Sequence, residues 1–148
     1  MHGKKGTIMK RILVLIFILL CSVAIAGAAS ASGAMFEGKW EDTVSQRAWM
    51  RIDQNWDGNY DVRVFWGGGI YEGSEWYMTG VYDPTVDSLA YNNGSNYDCT
   101  YDGNGNITSY RTQYEAASGI IWIDSNGYLR FLSNDSDLNS RMFVWCGR

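Results

Sequence analysis

From Gln46 onward, apolar and polar residues alternate in short runs broken by turn-forming residues. Gln46–Asp53 sets Ala48, Met50 and Ile52 on one face and Arg47, Trp49, Arg51 and Asp53 on the other, the two-residue period of a strand. Asn55-Trp56-Asp57-Gly58-Asn59 turns the chain, and Tyr60–Trp66 resumes with Val62, Val64 and Trp66 opposite Asp61, Arg63 and Phe65. Further strands are expected over Phe36–Thr43, Gly73–Tyr82, Thr85–Tyr91, Ser95–Tyr101, Asn106–Glu115, Gly119–Asp124, Tyr128–Leu132 and Arg141–Cys146. Asp83-Pro84, Asn92-Asn93-Gly94, Asp102-Gly103-Asn104-Gly105 and Ser125-Asn126-Gly127 supply the turns. No segment keeps a helical period for long. The pattern therefore predicts an all-β domain, a small antiparallel up-and-down β-barrel of about 8–10 strands, with a β-sandwich as the alternative.

Ahead of this domain, Ile12–Ala26 is continuously apolar, preceded by Lys10-Arg11 and followed by small residues ending Ala29-Ser30-Ala31. That order is the n-, h- and c-region of a secretory signal peptide, so residues 1–31 are expected to form a removable signal helix. Residues 32–148 are then one exported domain, secreted or held in the periplasm or cell envelope, with no membrane span after cleavage.

Removing the leader changes the charge. It holds Lys4, Lys5, Lys10 and Arg11 and no acid, so eight of the 12 Lys+Arg face all 16 Asp+Glu in the domain, a net charge of −8. An acidic domain does not neutralise phosphates, which excludes nucleic acid as a partner. His2, the one histidine, also lies in the leader, so the domain has no imidazole base or zinc ligand. Cys99 and Cys146 remain, and the oxidising compartment predicts a disulfide between them, stabilising by about 4 kcal/mol on the chain-entropy model.

Gly38-Lys39-Trp40 resembles the Gly-x-Trp opening of the lipocalin and avidin group of barrels. The resemblance implies a Trp40 that plugs one barrel end beneath a cation of the last strand, here Arg141. The order Gly38-x-Trp40, Ser45-x-Arg47-Ala48-x-Met50-x-Ile52, Asp61-Val62-x-Val64-x-Trp66-Gly67, Glu75-Trp76-x-Met78-Thr79-Gly80-x-Tyr82-Asp83, Leu89-x-Tyr91, Ser118-Gly119 and Trp122 is similar to a family of small exported β-domain proteins of anaerobic bacteria. That resemblance implies fold and export, and no activity. Gly67-Gly68-Gly69 departs from its pattern.

Asp53-x-Asn55-x-Asp57-Gly58-x-x-Asp61 imitates the first half of a calcium loop, but Val64 stands where a bidentate Glu belongs, and an Asx-type hairpin turn is the preferred reading. Asp102-x-Asn104-x-Asn106 and Asn134-Asp135-x-Asp137 read the same way. If the hairpin pairs position i with 114 − i, Trp49 faces Phe65, Arg51 faces Arg63 and Asp53 faces Asp61, with diagonal Asp53–Arg63 and Arg51–Asp61 contacts relieving the like charges. The resulting aromatic and arginine patch of Trp49, Arg51, Arg63 and Phe65, with Trp56 as an anchor at the turn tip, has the composition of an interface hot spot. Trp66, Trp76 and Trp122 are expected in the core.

No carboxylate pair is singled out for acid–base work, and no cofactor is implied. The leading expectation is a monomeric, non-enzymatic binding domain for a protein, a glycan or a small apolar ligand. A secreted inhibitor of a host hydrolase is the alternative, because Ala117-Ser118-Gly119 before Trp122 and the closing Trp145-Cys146 resemble the small β-barrel lysozyme inhibitors of bacterial envelopes. A structural envelope protein is a further alternative.

Overall fold

In the computed structural model, residues 33–134 and 137–148 are described, and the expected signal helix and much of Asn134-Asp135-x-Asp137 lie outside them. Eight strands follow a short 3-10 turn at Gly33–Phe36: β1 (Gly38–Asp42), β2 (Ala48–Gln54), β3 (Tyr60–Gly67), β4 (Glu72–Asp83), β5 (Ser88–Tyr101), β6 (Ile107–Ile123), β7 (Leu129–Ser133) and β8 (Met142–Gly147). A second 3-10 turn, Asp137–Ser140, precedes β8. Each strand pairs antiparallel with the next in sequence, and β8 returns to β1, so one ring-like sheet forms rather than two stacked ones.

Eight strands lie within the expected 8–10 but are fewer than the ten separate runs read from the sequence, for two local reasons. Asn92-Asn93-Gly94 does not turn the chain but forms a bulge inside β5, where Asn93 Oδ1 accepts the Thr79 amide at 3.0 Å and the ladders shift register. Ala116, at φ 60°, kinks β6 without ending it. Two expected pairs of strands thereby fuse into two long ones.

Alternation sends Met50, Ile52, Val62, Val64, Leu89, Ile121, Leu129, Phe131 and Phe143 into the ring, all at most 2% exposed, and these side chains fill it. Trp66 and Trp76 pack against this core as expected. Trp122 does not: its neighbour Ile121 is fully buried, so the two-residue period turns Trp122 outward, where it is half-buried.

Trp40 is 3% exposed and its indole donates to the Phe36 carbonyl at 2.8 Å. Gly38 before it has φ +125°, and an added Cβ would meet the Gly147 carbonyl at 2.6 Å and the Trp145 indole nitrogen at 2.7 Å, so only glycine fits the start of β1. The expected Trp40–Arg141 stack is not formed. Trp40 pairs with Trp145, four residues along from Arg141 and so about 13 Å away at strand rise. Arg141 lies instead over the Trp66 ring, 4.4 Å from its centroid.

The expected disulfide is also absent: Cys99 is a buried free thiol and Cys146 an exposed one. Both side chains point out of the ring, and β6 and β7 separate their strands. Three strand spacings amount to about 14 Å, twice what a disulfide spans. In residues 32–148 without reductant, a thiol reagent should modify Cys146 in the folded protein and Cys99 only on unfolding. A folded protein with no reactive thiol would contradict this arrangement.

Candidate functional site

The outward face of β2–β6 carries an aromatic assembly arranged around one carboxylate. The β2–β3 hairpin has the register expected, with Trp49 opposite Phe65, Arg51 opposite Arg63 and Asp53 opposite Asp61. Its turn is the Asx-type reading: Asn55 Oδ1 accepts the amides of Asp57 and Asn59, both at 3.1 Å, and Gly58 takes φ +82°. Among the described residues no group of three His, Cys, Asp or Glu side chains gathers in a way that could hold an ion. Asp53 is engaged by Arg51, and Asp61 accepts from Asn55 Nδ2 and Thr79 Oγ1.

The expected diagonal ion pairs do not form, because each arginine has a partner elsewhere. Arg51 turns along its own strand to grip Asp53, with 2.8 Å between Nη2 and Oδ1. Arg63 reaches across to β4, where Nε and Nη2 donate to Glu75 Oε2 and Oε1, both at 2.8 Å. The facing arginines thus separate rather than repel.

Glu75 was not foreseen from the sequence, and it is the centre of the site. The register runs Trp49, Phe65, Glu75, Tyr97 across β2–β5, so strand alternation points Glu75 away from the core, yet it has 0% exposure. Besides Arg63, the Tyr77 hydroxyl donates to Oε2 and the Tyr101 hydroxyl donates to Oε1 at 2.7 Å. Gly73, opposite Cys99, makes room: a Cβ there would meet the Phe65 ring at 2.9 Å. The only signal in the sequence was a Glu75-x-Tyr77 alternation on the polar face of a strand.

Aromatic rings close over this carboxylate. Trp49 and Phe65 stack at 5.6 Å, Phe65 meets Tyr101 edge-on at 5.9 Å, and Arg63 sits 5.3 Å from the Trp49 ring and 5.7 Å from Tyr77. The row continues from Tyr77 to Tyr97 and Tyr110 through edge contacts of 6.1 and 5.7 Å.

Electrostatics follow from this enclosure. Burial by itself would raise the Glu75 pKa, but the hydrogen bonds from Arg63, Tyr77 and Tyr101 outweigh it and hold the carboxyl below its ordinary value. Burial, and then the hydrogen bond to Glu75, push the Tyr77 hydroxyl up to about 12, and Tyr101 rises for the same reasons. Each Glu75 oxygen accepts two donors, Oε1 from Arg63 and Tyr101 and Oε2 from Arg63 and Tyr77, so its four lone-pair positions are taken. Its geometry suits holding a surface in shape.

Arg63 is the wall between two surface clefts. One, of about 490 Å³, lies among Trp49, Phe65, Tyr101 and the loop of Ile70 and Tyr71, which are 90% and 55% exposed. The other, of about 540 Å³, is lined by Arg51, Asp53, Asp61, Tyr77 and Thr79. Trp56, 93% exposed, is not part of either: it stands at the hairpin tip, beyond the Gln54–Tyr60 pair that is itself five strand residues or about 17 Å from the Trp49–Phe65 pair. The patch expected from the sequence is therefore split, and Glu75, Tyr77, Tyr101 and Tyr71 replace Trp56 in its main part. No family model, curated protein or solved structure matches the chain.

The two halves of the clamp should differ in what their loss costs. Arg63→Met leaves an ionised carboxylate buried with only two hydroxyls and should destabilise by about 3–5 kcal/mol. Glu75→Gln frees an arginine whose side chain is already 43% exposed and can rehydrate, so about 1–3 kcal/mol is expected. Urea unfolding of both variants checks this order, and equal or reversed losses would contradict it.

Proposed function

We propose that residues 32–148 form an exported, non-enzymatic binding domain with a lipocalin/avidin-like barrel, which engages a protein or glycan on its outer face instead of enclosing a small ligand. The observation that carries this reading is the contrast between the two sides of the sheet. The inward side is filled by apolar side chains. The outward side of β2–β5 holds fixed aromatic rings, an Arg63–Glu75 clamp and two clefts.

Physical chemistry favours such a face for binding. Aromatic rings held in place by neighbours lose little entropy when a partner docks. The exposed Ile70 and Tyr71 at the cleft rim supply apolar area, while Glu72 and Asp102 lend the acidic rim that suits a basic or hydroxyl-rich partner.

Immobilised domain, exposed to envelope extract, host secretions and a panel of lysozymes and proteases, should retain a partner. An Ile70→Ser/Tyr71→Ala double variant should lose at least about tenfold of that retention with an unchanged melting temperature. Trp56→Ala, at the distant hairpin tip, should lose little. Full retention by the rim variant would reject this face as the binding surface.

A further inference from the structure

The β6 strand has a neighbour on one side only for most of its length. Its ladder to β5 runs from Ile107 to Trp122, but its ladder to β7 begins at Gly119, opposite Ser133, and ends at Ile123. Among the described residues, no strand is laddered to the other backbone edge of β6 over Ile107–Gln113. Residues Ile107–Gln113 are all exposed. Such an edge is a template for adding a strand unless something blocks it.

The usual blocks are missing. Ile107-Thr108-Ser109-Tyr110-Arg111-Thr112-Gln113 contains no Lys and no Pro. Its one charge, Arg111, forms an exposed ion pair with Asp98 of the same chain at 2.9 Å and stays largely open to solvent. Ala116 at φ 60° sits where the β5–β6 ladder shifts register, which limits any added regular ladder to the stretch before it.

We propose that this edge pairs, antiparallel and about a two-fold axis, with the same edge of a second copy of the chain. A register centred on Tyr110 sets Tyr110 against the second copy's Tyr110, Thr108 against its Thr112, and Ser109 against its Arg111. Aromatic pairs and Thr–Thr pairs directly opposite one another are favourable in antiparallel sheets. Registers centred on Arg111 would oppose two arginines, so charge selects against them. The Tyr77–Tyr97–Tyr110 row, which ends at a Tyr110 that is 69% exposed, would continue into the second copy. In a domain of net charge −8 this segment is one through which two copies meet without opposing acids. The self-pairing replaces the monomer expected from the sequence, and it does not depend on the outer-cleft reading.

Seven paired residues and two tyrosines make a small interface, so a dissociation constant of about micromolar order is expected. Gly33–Arg148 is a compact unit with its own core, so residues 32–148 serve as the test protein. Sedimentation equilibrium from about 1 to 500 µM should show a monomer–dimer transition. Ser109→Asp, placed opposite the second copy's Arg111, should tighten it at least about threefold, and Ser109→Lys should weaken it at least as much. Tyr110→Lys, which sets two ammonium groups on the axis, should leave a monomer with unchanged circular dichroism. A wild-type protein that stays monomeric throughout, or a dimer indifferent to Tyr110→Lys and to the charge at position 109, would overturn the proposal.

Discussion

Glu75 points away from the core by strand alternation, yet it has no exposed surface. Taking a carboxylate out of water costs several kcal/mol, and in a folded protein that cost is offset only where donors replace the lost hydration. Here the donors are the Arg63 guanidinium and the Tyr77 and Tyr101 hydroxyls. Each comes from a different position around the carboxylate: a neighbouring strand, the same strand two residues on, and the far end of β5. Their convergence fixes the rest of the surface. Arg63, once anchored, covers Trp49, and Tyr101, once anchored, meets Phe65 edge-on. The aromatic face is thus a consequence of satisfying one buried charge.

The ring is uneven around its circumference. Between β7 and β8 only Leu129–Phe143 and Arg130–Met142 pair, whereas β4, β5 and β6 are long and extensively laddered. Strands β2–β6 carry the clamp, both clefts and the unpaired β6 edge. The short strands supply closure and core, with Leu129, Phe131 and Phe143 fully or almost fully buried.

The parts readable from the sequence are those governed by local chemistry. The β2–β3 register follows from a single Asx turn, Asn55 to Asn59, which leaves one way for the flanking strands to meet. Strand faces were equally plain wherever apolar residues alternate strictly. The misreadings share a cause, which is pairing between strands whose connection does not dictate register. Gly67-Gly68-Gly69 leaves the β3–β4 offset open, so nothing in the sequence placed Glu75 beside Phe65 and within reach of Arg63. Asn92-Asn93-Gly94 has turn composition but serves as a bulge, where the Thr79 amide across the ladder donates to the Asn93 side-chain oxygen. Arg141 and Trp40, like Cys99 and Cys146, were matched by residue type, and the ring places each pair too far apart.

The most direct test of the clamp is a carbon-13 NMR titration of the Glu75 side-chain carboxyl, assigned by comparison with Glu75→Gln. Its ordinary value is 4.5, and the clamp places the folded value lower. The stabilisation it gives should then be complete above the ordinary value and fade only as pH falls through the lower, folded one. A Glu75 carboxyl that titrates below 4.5 is the predicted result. One that titrates at or above that value would show the charge unsupported by Arg63, Tyr77 and Tyr101, and would contradict the clamp as the organiser of the outer face.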